Sequence, residues 1–192
     1  MLRNTLLASA LVLSFVAPAM AQSDPAMAPA GSSMPMNPGV SPLVGTSATD
    51  YVKMAADSDM FEVQSSKLAL MRSKRDDVKS YAKQMIADHT MTSKALMAGL
   101  KNNDRTIVRP STKLSAENSA KLALLKKAPK ASFDDLYLQQ QVAAHQTAWA
   151  LHKGYATDGT DATLKQIAST AVPVIERHLG HAQQMVPAGM AM

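Results

Sequence analysis

Beyond Thr49 the chain runs in long segments nearly free of proline and glycine, with apolar residues three and four apart. That spacing is the signature of helices that bury one face against one another. A first helix is predicted after a Thr49 or Asp50 cap and runs to about Ser73, with the stripe Val52, Ala55, Asp59, Glu62, Ser66 and Ala69. A second begins near Asp76 and Asp77, whose charges suit the positive end of a helix dipole, and runs to about Leu100. After the break "KNNDRTIVRPST" a short amphipathic piece spans 115–127. A third long helix, capped by Ser132, is predicted from Phe133 to about Ala156, and a fourth from Ala162 to about Met185, with Pro173 inside it.

Two tight hairpins joined by one long connection give an all-α outline. It is the layout of a ferritin-like four-helix bundle whose long second-to-third connection carries a short extra helix. An up-and-down bundle is the competing topology. No strand is predicted.

The first 21 residues carry Arg3, an uncharged and mostly apolar run from Thr5 to Val16, then Pro18 and the small-residue triplet Ala19-Met20-Ala21. This pattern predicts a secretory signal peptide cleaved after Ala21, and hence a periplasmic or secreted protein. Residues 22–47, rich in proline, serine, alanine and methionine, read as a flexible linker, 48–186 as the bundle and 187–192 as a tail. The mature chain has no apolar run long enough for a transmembrane segment. With no cysteine, disulfides, thiolate metal sites and cysteine nucleophiles are excluded. The formal charge of +5 falls to +4 without Arg3, and the lysines are dispersed, so no nucleic-acid footprint is present.

No hydrolase, P-loop or dinucleotide motif occurs. The three glutamates, Glu62, Glu117 and Glu176, never begin a Glu-x-x-His, so a ferritin-type di-iron centre cannot be assembled. Each predicted long helix nevertheless carries polar residues on its apolar stripe. These are Asp59 and Glu62 on the first, His89 on the second, His145 and His152 on the third and His178 on the fourth.

Counting from a turn near residue 74, Glu62 lies 12 residues back and His89 15 forward, a difference of ~4 Å in height. His145 lies 13 residues before a turn near 158 and His178 20 after it, an offset of ~10 Å that assigns His178 to another layer, together with His181. The candidate metal ligands are His89, His145, His178 and Glu62, a donor set that suits zinc, copper or iron. Asp88, about 100° round the helix from His89, reads as a surface charge, and so does Glu176. Trp149 and the core methionines read as packing. Met27, Met34, Met36, Met190 and Met192 read as tail residues, with thioether binding of Cu(I) as the alternative.

The pieces "FEVQSSKLAL", "VKSYAKQMIADHTMTSKAL", "FDDLYLQQQVAAHQTAWALHKGYA" and "LKQIASTAVPVIERHLGHAQQM", in this order, resemble an exported bacterial family with a ferritin-like fold, catalogued as domain of unknown function 4142. The resemblance covers 50–185. It implies fold and address, and its positions fall on Glu62, His89, His145 and His178; the family has no established activity.

Three functions follow from these features. The first is an exported metal-binding bundle. The second is a structural or stress-protective envelope protein whose histidines form a hydrogen-bond network. The third, an enzyme, ranks last, because no feature of the sequence marks an open coordination position.

Overall fold

The structure, a computed structural model, describes residues 38–101 and 106–187. The predicted signal peptide, the linker up to residue 37 and Met27, Met34, Met36, Met190 and Met192 lie outside the described residues. The described residues form five α-helices and no strand: α1 Ala48–Arg72, α2 Asp76–Gly99, α3 Ala116–Lys127, α4 Phe133–Asp158 and α5 Ala162–Met185.

The helix starts follow local chemistry. Ser47, not Thr49 or Asp50, caps α1. Its hydroxyl accepts the Asp50 N–H at 3.1 Å and donates to Asp50 Oδ2 at 2.7 Å, a side-chain cap that starts the helix earlier than the apolar pattern does. Ser115 and Asp161 cap α3 and α5 by accepting the N–H of Asn118 and Leu164. Ser132 stands at the N-cap position of α4, as expected, but makes no side-chain capping bond; its hydroxyl donates to Pro129 O, and Asp134 and Asp135 supply negative charge to the first turn. α4 also runs two residues beyond Ala156.

α1 packs on α2 and α4, α5 packs on the same two helices, and α3 lies across α1 and α4. Residue pairs fix the directions. Tyr51 stacks on Tyr155 while Ser66 meets Tyr137, so α1 and α4 are antiparallel. Tyr81 reaches the His178 carbonyl while Gly99 faces Ile167, so α2 and α5 are antiparallel too. The start of α4 sits at the end of α1, where the Arg72 guanidinium lies 4.5 Å over the Phe133 ring. Arg72 also donates to the carbonyls of Leu125, Lys126 and Ala128, fastening the end of α3.

The interior has three layers. At one end Ala69, Val78, Tyr81, Met85, Phe133, Tyr137, Leu138 and Ala182 form an apolar cluster. At the other end Tyr51, Val52, Ala55, Leu96, Leu151, Tyr155, Leu164 and Ala168 form a second. Between them lie buried polar residues, Asp59, Glu62, Ser65, Ser66, His89, Gln141, His145 and His178. The two apolar ends hold the fold; the middle layer is where chemistry can occur.

Residues 38–47 run against α4. The Leu43 N–H donates to Ala150 O at 2.8 Å and the Gly45 N–H to Asp158 Oδ2 at 2.6 Å. Gly45 has φ +75°, which glycine adopts freely. A Cβ at Gly154 would lie 1.9 Å from Leu43 O, so glycine is what lets the segment lie this close to the helix.

Candidate metal centre

His89 of α2, His145 of α4 and His178 of α5 meet in the polar layer. They are 5 %, 1 % and 1 % exposed. Their ring centroids form a nearly equilateral triangle with sides of 5.5, 5.5 and 5.4 Å. The planes are inclined at 50° to 81° rather than stacked, so ring edges rather than faces converge. One donor atom from each residue lies within 4.8 Å of the other two.

One nitrogen of each ring is tied to a protein acceptor. His89 Nδ1–H donates to Asp59 Oδ1 at 2.8 Å, His145 Nδ1–H to the Gln141 carbonyl at 2.8 Å and His178 Nε2–H to Asp88 Oδ2 at 2.8 Å. Because a carbonyl or carboxylate only accepts, these bonds put the proton on the tied nitrogen. The remaining nitrogens, His89 Nε2, His145 Nε2 and His178 Nδ1, are buried without a hydrogen-bond partner among the described residues. Orienting one nitrogen of a ligand histidine through a bond to the other is how proteins aim imidazoles at a metal.

Asp59 is itself anchored, accepting from Thr92 Oγ1 at 2.9 Å and from Ser93 Oγ at 3.0 Å. Glu62 lies behind the centre, with Oε1 3.7 Å from His145 Nδ1, the nitrogen already bonded to Gln141. Among the described residues neither Glu62 oxygen meets a donor at good hydrogen-bond geometry, and Glu62 is not among the three converging residues. His152 is hydrogen-bonded through Nδ1 to the Tyr51 hydroxyl at 3.1 Å.

Charge follows from burial and neighbours. Burial, reinforced by His89 and His178, holds His145 well below the usual imidazole range. Burial also pushes His178 down to about 4, against the opposing bond to Asp88. For His89 burial acts downward, but the bond to Asp59 and the Glu62 charge outweigh it and the net shift is upward. Burial pushes the Glu62 carboxyl up to about 7. Burial leaves the His145 and His178 rings neutral at neutral pH, each with a lone pair to offer, and the bond from His89 Nδ1 to Asp59 leaves Nε2 as that ring's ligand nitrogen.

The fit to a metal is close. An ion centred among three atoms no more than 4.8 Å apart sits at most about 2.8 Å from each. Closing to a metal–nitrogen distance of about 2.1 Å takes at most roughly 0.7 Å of movement per ring.

The expected separation of His178 from His145 does not occur. Residues 159–161 form the loop and contribute no helical rise. Measured from the helix ends, His145 is 13 residues before Asp158 and His178 is 16 after Ala162, a mismatch of only ~4.5 Å. His181, expected to accompany His178, is exposed and lies beside Tyr81. Asp88 is not a free surface charge, because α5 packs on that side of α2 and brings His178 to it. Glu176 accepts from Trp149 Nε1 at 2.9 Å, so that tryptophan is positioned by a hydrogen bond as well as by packing. Two helices flanking α2 rather than one was the signal that could have found Asp88.

These features define a class, an all-helical protein with three convergent imidazoles between two apolar layers. Within it, the chain belongs to the family described as a domain of unknown function (DUF4142), whose sequence profile matches residues 33–185. No curated protein and no solved structure matches the chain. No helix among the described residues is long and apolar enough to cross a membrane.

Proposed function

We propose that this protein binds one transition-metal ion through His89 Nε2, His145 Nε2 and His178 Nδ1, and that it does so as an exported protein of the bacterial envelope with a ferritin-like arrangement of its four long helices. The observation that carries this reading is a trio of buried histidines that bring one nitrogen each within 4.8 Å of the others, every ring having one nitrogen fixed from outside and the other unpartnered among the described residues. Left alone, each such group costs roughly 1–3 kcal/mol. A cation relieves all three at once.

Neutral imidazoles suit zinc, copper and iron, and the Asp59 and Asp88 carboxylates behind His89 and His178 offset a divalent charge. Glu62 adds negative charge on the far side of His145 and is read as a neighbour of the site, not as its fourth ligand. A purely structural histidine network is the weaker reading, because such a network closes on itself and this one leaves its central nitrogens without partners. Three protein ligands leave a coordination position open. Binding and buffering of metal is the function assigned, with no reaction attached to it.

The test is elemental analysis of the untagged protein purified from the export compartment, beside a His89→Ala, His145→Ala double variant. Near-stoichiometric zinc, copper or iron in the wild type alone is the expected result. A wild type that carries no metal and takes up none on addition would refute the proposal.

A further inference from the structure

A groove of about 440 Å³ opens between α2 and α5. That volume lies within the about 300–1,000 Å³ of small-molecule sites. Its walls are largely apolar, with Ala55, Leu96, Ile167, Ala171 and Val174 among the lining residues.

Among the buried polar side chains of the wall, His152 has a hydrogen-bond donor to spare. His152 lines the groove, is 8 % exposed, and is bonded through Nδ1 to Tyr51 alone among the described residues. Its Nε2 has no partner among the described residues and is not among the fully sealed polar atoms. Tyr51 is fully buried, and among the described residues His152 Nδ1 is the one acceptor for its hydroxyl hydrogen. Tyr51 therefore donates, and the proton of the neutral ring sits on Nε2, which leaves an N–H donor on a ring that lines the groove. Burial keeps this ring neutral by pushing it down to about 4.

The charged residues of the lining narrow the ligand class. Asp59 and Asp88 disfavour an anionic head group, and Arg177 disfavours a cation. What remains is an uncharged, mostly apolar molecule with an acceptor for one N–H.

We infer that the α2–α5 groove binds a small, uncharged, largely apolar molecule carrying a carbonyl-type hydrogen-bond acceptor, which His152 Nε2–H receives. Asp59, Asp88, Thr92 and His152 line both this groove and a small cavity against His89 and His178, so the bound molecule lies one layer from the three-histidine centre. The inference stands without the metal reading, because its donor and its walls are separate from the three converging nitrogens.

The experiment titrates metal-free, full-length protein with 6-propionyl-2-(dimethylamino)naphthalene, a neutral naphthyl ketone whose emission moves to the blue in apolar surroundings. Saturable one-to-one binding is expected. Thr170→Trp, at an exposed position on the groove rim, fills the groove and weakens binding at least tenfold with unchanged circular dichroism. Thr147→Trp, an exposed position in a different groove against α3, leaves binding as it was. The same naphthalene without the ketone binds at least fivefold more weakly, the loss of about one hydrogen bond. Absence of saturable binding, equal affinity in Thr170→Trp, loss in Thr147→Trp, or equal affinity for the ketone-free probe would each overturn the inference. Each of these outcomes is independent of whether the protein binds metal.

Discussion

Asp59 Oδ1 accepts from His89 Nδ1 at 2.8 Å, joining α1 to α2 through the polar layer, and the same carboxylate accepts from Thr92 and Ser93. This bond decides which nitrogen of His89 is left to face His145 and His178. Outer partners of this kind are worth about 10–100-fold in metal affinity. Asp59→Asn keeps the size of the side chain but offers one acceptor oxygen instead of two. Zinc competition against a chromophoric chelator should show affinity reduced by about that factor with helicity intact. Unchanged affinity would show that the bond does not aim the ring.

His152 gives the metal-free protein a pH dependence of known sign. Its folded-state pKa, pushed down to about 4 by burial, lies below the 6.5 of an unperturbed imidazole. Asp59 opposes that shift from α1 and His89 adds to it from α2, while Asp88 and Arg177 lie along the same groove. Between these two values the unfolded chain holds a proton that the folded protein refuses. The stability is fully present above about pH 6.5 and is lost as pH falls toward 4, at about 1.4 kcal/mol per pH unit. Urea unfolding in the presence of chelator should therefore show a stability difference between wild type and His152→Gln that shifts against the wild type by that slope over the window. A difference that stays constant with pH would contradict the neutral buried ring.

Gly154 is where residues 38–47 lie against α4. Gly154→Ala puts a methyl group into Leu43 O and should displace the segment, lowering stability by about 1–3 kcal/mol and opening residues 38–47 to proteolysis. Limited digestion followed by mass spectrometry checks this. A variant cut no faster than wild type would show that the segment is not held there.

Trp149 is the chain's one tryptophan and follows His145 by four residues on α4, about 6 Å along the helix axis. Its indole N–H is fixed to Glu176, so its position relative to the centre is well defined. Paramagnetic Cu²⁺ bound at the three histidines should quench its fluorescence, with the end point at one equivalent. Zn²⁺, which has no unpaired electron, should compete for that site and restore the emission. Quenching that zinc does not reverse would locate the copper elsewhere.

The helices were legible because their evidence is local: the three-and-four spacing of Val52, Ala55 and Ala69, or of Leu138, Val142 and Trp149, needs no tertiary knowledge. The inward polar residues were legible for the same reason, since His89, His145 and His178 interrupt those stripes. Heights were not. The His178 offset came from treating the loop residues 159–161 as helical rise, and only the helix ends correct it. Second contacts such as Asp88 to His178 and Tyr51 to His152 depend on which helices flank which, a property of the packed chain that no single stripe encodes.

The central claim is that three particular ring nitrogens carry lone pairs toward one point and share one metal ion. The most direct measurement is two-dimensional ¹⁵N–¹H spectroscopy of the imidazoles at pH 8, before and after one equivalent of Zn²⁺. Without zinc, His89 and His145 should be protonated on Nδ1 and His178 on Nε2. With zinc, the resonances of His89 Nε2, His145 Nε2 and His178 Nδ1 should shift together and saturate at one equivalent, while His152 and His181 stay in place. Tautomers other than these, or zinc that moves His181 and leaves the buried three untouched, would contradict the account.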